Sequence, residues 1–282
     1  MKTIAIVNQK GGCGKTTTAV NLAAAFAEKS FRTLLVDLDQ QGHSTIGVGY
    51  EPDNLSMTIY DALVNVQIAL SDVILSTKIE RLDLAPSNIV LSGAELDLKG
   101  IDVLSEKLKM VSEKYDITVI DCPPLLGMLT LNGLLASTGV IVPVQVHYYA
   151  MEGLKQLFET MNVVSERFYP SRIRFLGILL TLVEHNTLLG KQIQAQMREF
   201  FGDLVFDAVI HKGVRLAEAP SAGEPVLTYA PESKAAAEYR ALAEEIIHDW
   251  TLVEQIITLA EELGNDRTLV EQTSNDYTLV RR

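Results

Sequence analysis

The sequence predicts an α/β fold, a mostly parallel, doubly wound sheet covered by helices on both faces. Three observations carry that prediction. Continuous apolar runs of strand length alternate with helical patterns along most of the chain. The first run passes directly into a loop rich in glycine and lysine that opens a helix. Two later runs end in aspartate, at the carboxyl edge where open α/β sheets bind their ligands.

Strands are expected at residues 3–8, 33–37, 82–85, 117–121, 140–144 and 175–182. Helical patterns fall at 15–28, 91–114, 151–168, 188–201 and 235–249. Residues 86–92 and 183–190 read as surface connections, and no linker divides the chain before residue 250. Residues 251–282 read as a helical extension to about Leu263 and then a tail, in which TLV recurs at Thr251, Thr268 and Thr278 with unequal spacing. The expected organisation is therefore one α/β domain over 1–250 with a C-terminal extension over 251–282.

Composition narrows the class. A chain of 282 residues, 48% of them hydrophobic, can bury one substantial core. Its two cysteines, Cys13 and Cys122, provide neither a disulfide framework nor a CxxC metal site, which suits a reducing cytoplasm. No stretch approaches the roughly 20 apolar residues of a membrane span, and the first residues lack a secretory pattern. The five histidines show no metal-ligand spacing and read as structural or surface groups. A formal net charge of −12 repels nucleic acid and acidic membranes, so any phosphate-binding surface must be local.

The sharpest signal is the run Gln9, Lys10, Gly11, Gly12, Cys13, Gly14, Lys15, Thr16, Thr17 between the first strand and the first helix. Glycines allow backbone N–H groups to face a phosphate, and the helix N-terminus adds donors and a positive dipole end. Lys15 is suited to the β- and γ-phosphates of ATP, the Thr16 hydroxyl to Mg²⁺, and Thr17 to the α-phosphate. The ordinary P-loop pattern wants glycine where Gln9 stands, but the deviant form KGGxGKT fits, with Lys10 as its second lysine. The fold class is thus a P-loop NTPase. Cys13 holds the variable position and receives no chemistry.

The second strand ends VDLDQQG, with Asp37 and Asp39 on one side if the alternation of a strand persists. Carboxylates beside a triphosphate need Mg²⁺ or a held water to offset their repulsion. The run ITVIDCPP ends in Asp121, suited to holding a water on Mg²⁺, and Pro123 and Pro124 stiffen the turn that follows.

Through KGGCGKTTTAVNLAAAFA, LLVDLDQQG, YDITVIDCPPLLGMLTLNGLLAS, VIVPVQVHYYAMEGL and VRLAEAPSAGEP, residues 1–250 resemble the ParA/Soj family, a branch of the deviant Walker A ATPases that also includes MinD. The resemblance implies an ATP-bound homodimer in which Lys10 reaches the phosphates held by the other subunit. It implies that Asp39 orients the attacking water beside the metal and that Pro220 lies near the adenine, with Glu218 bracing that loop. Gly12 corresponds to a position of close subunit approach. Lys10, Lys15 and Asp39 are then the catalytic set, and Thr16, Asp39 and Asp121 the metal set. The resemblance further implies non-specific DNA binding through Lys212 and Arg215, release by a ParB-like or other adaptor that stimulates slow hydrolysis, and a nucleoid-associated cytoplasmic location.

Two departures stand out. Gln40 replaces a family proline after Asp39, and Asn186 falls where a second DNA-binding arginine is expected. Lys191, Arg198, Arg172, Arg174, Lys234 and Arg240 are the other cations available for a basic patch. No N-terminal winged-helix domain is expected. A MinD-like membrane switch is an alternative, although it needs a basic amphipathic C-terminal helix where this chain is acidic. An ATP-dependent metabolic ligase on the same fold is another.

Overall fold

The computed structural model describes residues 1–146, 174–184 and 188–262, by backbone alone from residue 252. The helix expected at 151–168, Asn186 and the tail from residue 263 lie outside the described residues. Among the described residues eight strands form one sheet: β1 (Lys2–Ile6), β2 (Thr33–Asp37), β3 (Leu75–Ser76), β4 (Leu82–Ala85), β5 (Ile117–Asp121), β6 (Gly139–Gln145), β7 (Arg174–Val183) and β8 (Val205–His211). Their order is β3-β4-β2-β5-β1-β6-β7-β8, and only the short edge strand β3 runs antiparallel to its neighbour. The described helices are α1 (Lys15–Glu28), α2 (His43–Ile46), α3 (Ile59–Val64), α4 (Leu70–Val73), α5 (Ala94–Asp97), α6 (Val103–Lys109), α7 (Met128–Ala136), α8 (Leu188–Phe201), α9 (Val214–Glu218), α10 (Val226–Tyr229) and α11 (Lys234–Glu262).

The continuous apolar runs become central strands because both faces of the sheet are covered; every residue of β2 and β5 is buried. Alternation along β1 sends Ala5 and Val7 into one core and Ile4 and Ile6 into the other. The first core packs under α3 to α7. The second is closed by α1 and α11, where Leu22, Phe26 and Tyr239 are fully buried. Side chains of that size contribute about 1.5–3 kcal/mol each on leaving water. The alanine-rich α1 lies deep in this layer and stops at Ser30, whose left-handed φ of 71° lets Phe31 N–H reach the Phe26 carbonyl.

Three expectations change. The helix expected at 91–114 is broken into a 3-10 turn (Ile89–Gly93), α5 and α6, and Gly93 and Gly100 stand at the interruptions. Residues 205–211 form β8, which the sequence conceals because Asp207 interrupts its apolar run. The connection at 86–92 is not wholly superficial, since Ser87 is fully buried beneath the carboxyl edge of the sheet. No helix among the described residues is long and apolar enough to cross a membrane.

Candidate nucleotide-binding site

The site forms where β1, β2 and β5 end side by side. Gly12 and Gly14 take φ values of 71° and 88°, a region costly for residues with a Cβ, and Gly14 is the N-cap of α1. The loop is tied down from outside its own segment. Asn8 Oδ1 accepts from Lys10 N–H at 2.9 Å while its Nδ2 donates to the Pro143 carbonyl at 2.7 Å. From β7, Thr181 Oγ1 donates to the Cys13 carbonyl at 2.7 Å. Lys15 is 7% exposed and donates to the Lys10 carbonyl at 3.1 Å, whereas Lys10, Gly11 and Gly12 are exposed. Cys13 is fully buried; burial pushes its thiol pKa up, and Lys15 opposes the shift.

Asp37 and Asp121 are register partners on adjacent strands, both without solvent exposure. Asp37 Oδ2 accepts from Thr45 N–H and Oγ1, each at 2.8 Å, and Oδ1 accepts from Asp39 N–H at 3.1 Å. Asp121 Oδ2 accepts from Ser44 Oγ at 2.8 Å. The strand ends at Asp37, and Asp39 follows in the turn beyond it, near enough for its charge to raise the Asp121 pKa. Asp37 is held inside by α2, while Asp39 sits in the next turn, half-buried, accepting from Gln41 N–H at 3.0 Å. Gly42 makes that turn possible: its φ is 63°, and a Cβ there would lie 2.9 Å from Pro52 Cγ and 3.1 Å from the Ser87 carbonyl oxygen. Ser87 completes the lock, donating N–H to Thr45 Oγ1 at 2.9 Å and Oγ to the Asp39 carbonyl at 2.8 Å.

Burial is the main cause that raises both buried acids, and the Asp121 charge raises Asp37 further while Thr45 opposes it. For Asp121 the hydroxyls of Thr16 and Ser44 and the Lys15 ammonium oppose the rise. Asp121 Oδ1 is buried with no hydrogen-bond donor at contact distance. An orphaned carboxylate oxygen beside a hydroxyl and a second carboxylate is the hard, all-oxygen donor set that suits Mg²⁺. Among the described residues, no three His, Cys, Asp or Glu side chains form a metal cage of their own.

Pro220 lies exposed in a 3-10 turn (Ala219–Ala222) after α9. Glu218 accepts from Arg215 at 3.0 Å and from the Tyr229 hydroxyl at 3.2 Å, joining α9 to α10. The candidate DNA cations are exposed but paired with carboxylates: Lys212 with Glu184 at 2.7 Å and Arg215 with Glu218. Arg198, Lys234 and Arg240 also have acidic partners. Sequence reasoning missed Asn8, Ser44, Thr45, Ser87 and Thr181. The hydroxyls at Ser44 and Thr45, one short turn after the acids, were a usable signal; Thr181 is too distant in sequence to carry one.

A family model described as an AAA domain matches residues 1–174. The sporulation initiation inhibitor protein Soj of Bacillus subtilis is 43% identical over 251 residues, covering 87% of this chain and 98% of that protein. The chromosome-partitioning ATPase Soj of Thermus thermophilus is 44% identical, covering 88% of this chain and 96% of its own. Among solved structures, cobyrinic acid a,c-diamide synthase of Mycobacterium smegmatis, with a bound ATP analogue and magnesium, superposes with a TM-score of 0.77 at 33% identity. That likeness covers 89% of this chain and 96% of that one. With its P-loop cradle, its paired strand-end aspartates and these relatives, the chain belongs to the ParA/Soj family of P-loop ATPases.

Proposed function

We propose that this protein is an ATP-driven dimerisation switch that positions DNA or another large cargo. The observation that carries the reading is the pair of lysines on one loop, Lys15 drawn into the cradle and Lys10 exposed on its rim. A buried ammonium beside the glycine turns suits the phosphates of the subunit's own nucleotide; an exposed one suits those of a second subunit. Lys10 then acts as a finger on developing phosphate charge, so hydrolysis requires two copies. Gly12 lies exposed on the same rim, where a side chain would keep the copies apart.

Backbone N–H groups from Gly11 to Thr17 bind the phosphates, and Pro220 borders the base. Thr16, Asp39 and Asp121 would hold magnesium, Asp121 by way of a water, and the ion would neutralise phosphate charge. Asp39 orients the attacking water. Its neighbour Gln40 keeps a backbone N–H that proline would lack, which gives this turn more freedom. The ATP state binds duplex DNA non-specifically through Lys212 and Arg215, and a ParB-like adaptor ends it by accelerating hydrolysis. The carboxylate partners of those two cations are an obstacle of modest size, because exposed ion pairs contribute only about 0–1 kcal/mol and open readily. The Thermus relative, a chromosome-partitioning ATPase, supports partitioning as the role. The tail beyond residue 250 has no assigned part, and the likeness to the cobyrinic acid enzyme supports a second reading as a small-molecule ligase.

The deciding experiment uses Asp39→Ala, which should keep ATP binding, stop hydrolysis and trap the dimer. ATP-dependent DNA binding by that variant, steeply weakened by salt, supports the switch. Normal turnover by the variant would remove Asp39 from its role. Steady turnover of the native protein with a small carboxylate, with no macromolecular activator, favours the ligase. Lys15→Ala should abolish nucleotide binding, and retained tight binding refutes the cradle.

A further inference from the structure

Asn21 lies one turn into α1 from Thr17 and is 4% exposed. Both ends of its amide are used. Nδ2 donates to the Thr17 carbonyl at 2.8 Å, and Oδ1 accepts from Val226 N–H at 2.7 Å, a fully buried bond spanning more than two hundred residues of sequence. Val226 is the first residue of α10, so its N–H has no partner within that helix and depends on an outside acceptor. One amide therefore joins the helix that carries the phosphate loop to the end of the loop at 219–226.

The opposite side of that loop is clamped too. Gly223 takes a φ of 66°, and a Cβ on it would lie 3.0 Å from Gly49 Cα, so the loop rests against the backbone that follows α2. Inside the loop, Gly223 N–H reaches the Pro220 carbonyl at 3.1 Å and Glu224 N–H the Ala219 carbonyl at 3.2 Å. The turn is thus closed on itself and held from two sides. Its position relative to the phosphate cradle is set by the Asn21 bridge on one side and the Gly49 contact on the other.

We infer that Asn21 is a positioning residue that holds the 219–226 loop at the distance from the phosphate cradle at which a nucleoside fits between them. It touches no ligand itself; it acts through Val226 and Thr17. The inference rests on the nucleotide-site reading above and deepens it by separating the part of the site that grips phosphate from the part that grips the nucleoside. Removing the bridge should weaken ligands that reach both parts and spare those that reach only the cradle.

The test compares magnesium-ADP with magnesium pyrophosphate by titration calorimetry, avoiding both hydrolysis and ATP-driven dimerisation. Asn21→Ala should lose about tenfold in ADP affinity, the size of one hydrogen bond and its unsatisfied partner, with pyrophosphate changed by less than about twofold. A purely structural role would lower both ligands together. Val226→Pro tests the same bond from the other end and serves if Asn21→Ala does not fold. Proline lacks the N–H and suits the first position of a helix, and Pro225 already has the extended ψ of 154° that a following proline requires. Equal losses for both ligands, or no loss of ADP affinity in either variant, overturns the inference. A native protein that binds ADP no better than pyrophosphate overturns it while leaving the cradle intact. A native protein that binds neither ligand removes the nucleotide site itself.

Discussion

Asp37 and Asp121 occupy the interior side by side, and their environment has a consequence for stability. Burial raises Asp37 above its ordinary carboxylate range, and the Asp121 charge adds to the rise. The unfolded chain ionises first, so the folded protein loses this contribution to stability as pH climbs from about 4 towards neutrality. Asp37→Asn keeps an acceptor for Thr45 N–H without the charge. The melting temperature of the nucleotide-free variant relative to the native protein should therefore increase across that window; a constant difference would show that Asp37 carries no such penalty. At this scale the phosphate loop was readable because its chemistry is local: glycines, lysines and hydroxyls in register define it. The partners of the acids were not, since Ser44, Thr45 and Ser87 reach them only after the chain turns back over the sheet edge.

At the scale of elements, α7 depends on a neighbour for its start. Glu95, on α5, accepts from Met128 N–H at 2.7 Å and from Leu129 N–H at 3.2 Å, capping a helix whose own N-cap, Gly127, has no side chain. Gly127 leaves room for this, as a Cβ there would overlap the Glu95 carboxylate. The capped helix follows directly on the turn after Asp121, where Leu125 and Leu126 are exposed. Glu95→Ala should lower the hydrogen-exchange protection of the amides at 128 and 129 roughly fivefold to tenfold, the worth of one cap, while β5 stays protected. Unchanged protection at those amides would deny the cap. This contact also explains why the helix expected at 91–114 breaks. The chain must present Glu95 on α5 and then redirect before α6, a requirement invisible to helical periodicity. The strands at 33–37 and 117–121 match their expected bounds because a doubly covered sheet leaves a buried, apolar signature.

For the whole molecule, the net charge of −12 and the carboxylate partners of Lys212 and Arg215 set the terms of any DNA contact. Each cation that reaches a phosphate should add about one to the salt slope of binding. In the hydrolysis-blocked protein, Lys212→Ala and Arg215→Ala should each reduce that slope by about one unit, measured with ATP over a salt series. A slope unaffected by both places the DNA contact elsewhere. The class of fold, the phosphate loop and the identity of the strand-end acids are legible in the sequence, because these depend on contiguous pattern and on residue chemistry. Folding settles which acid is buried, which hydroxyls hold it, that Thr181 and Asn21 brace the phosphate loop and its helix, and that Lys212 and Arg215 have acidic neighbours. Those contacts join residues far apart in the chain, and their geometry exists only once both cores have closed on the sheet.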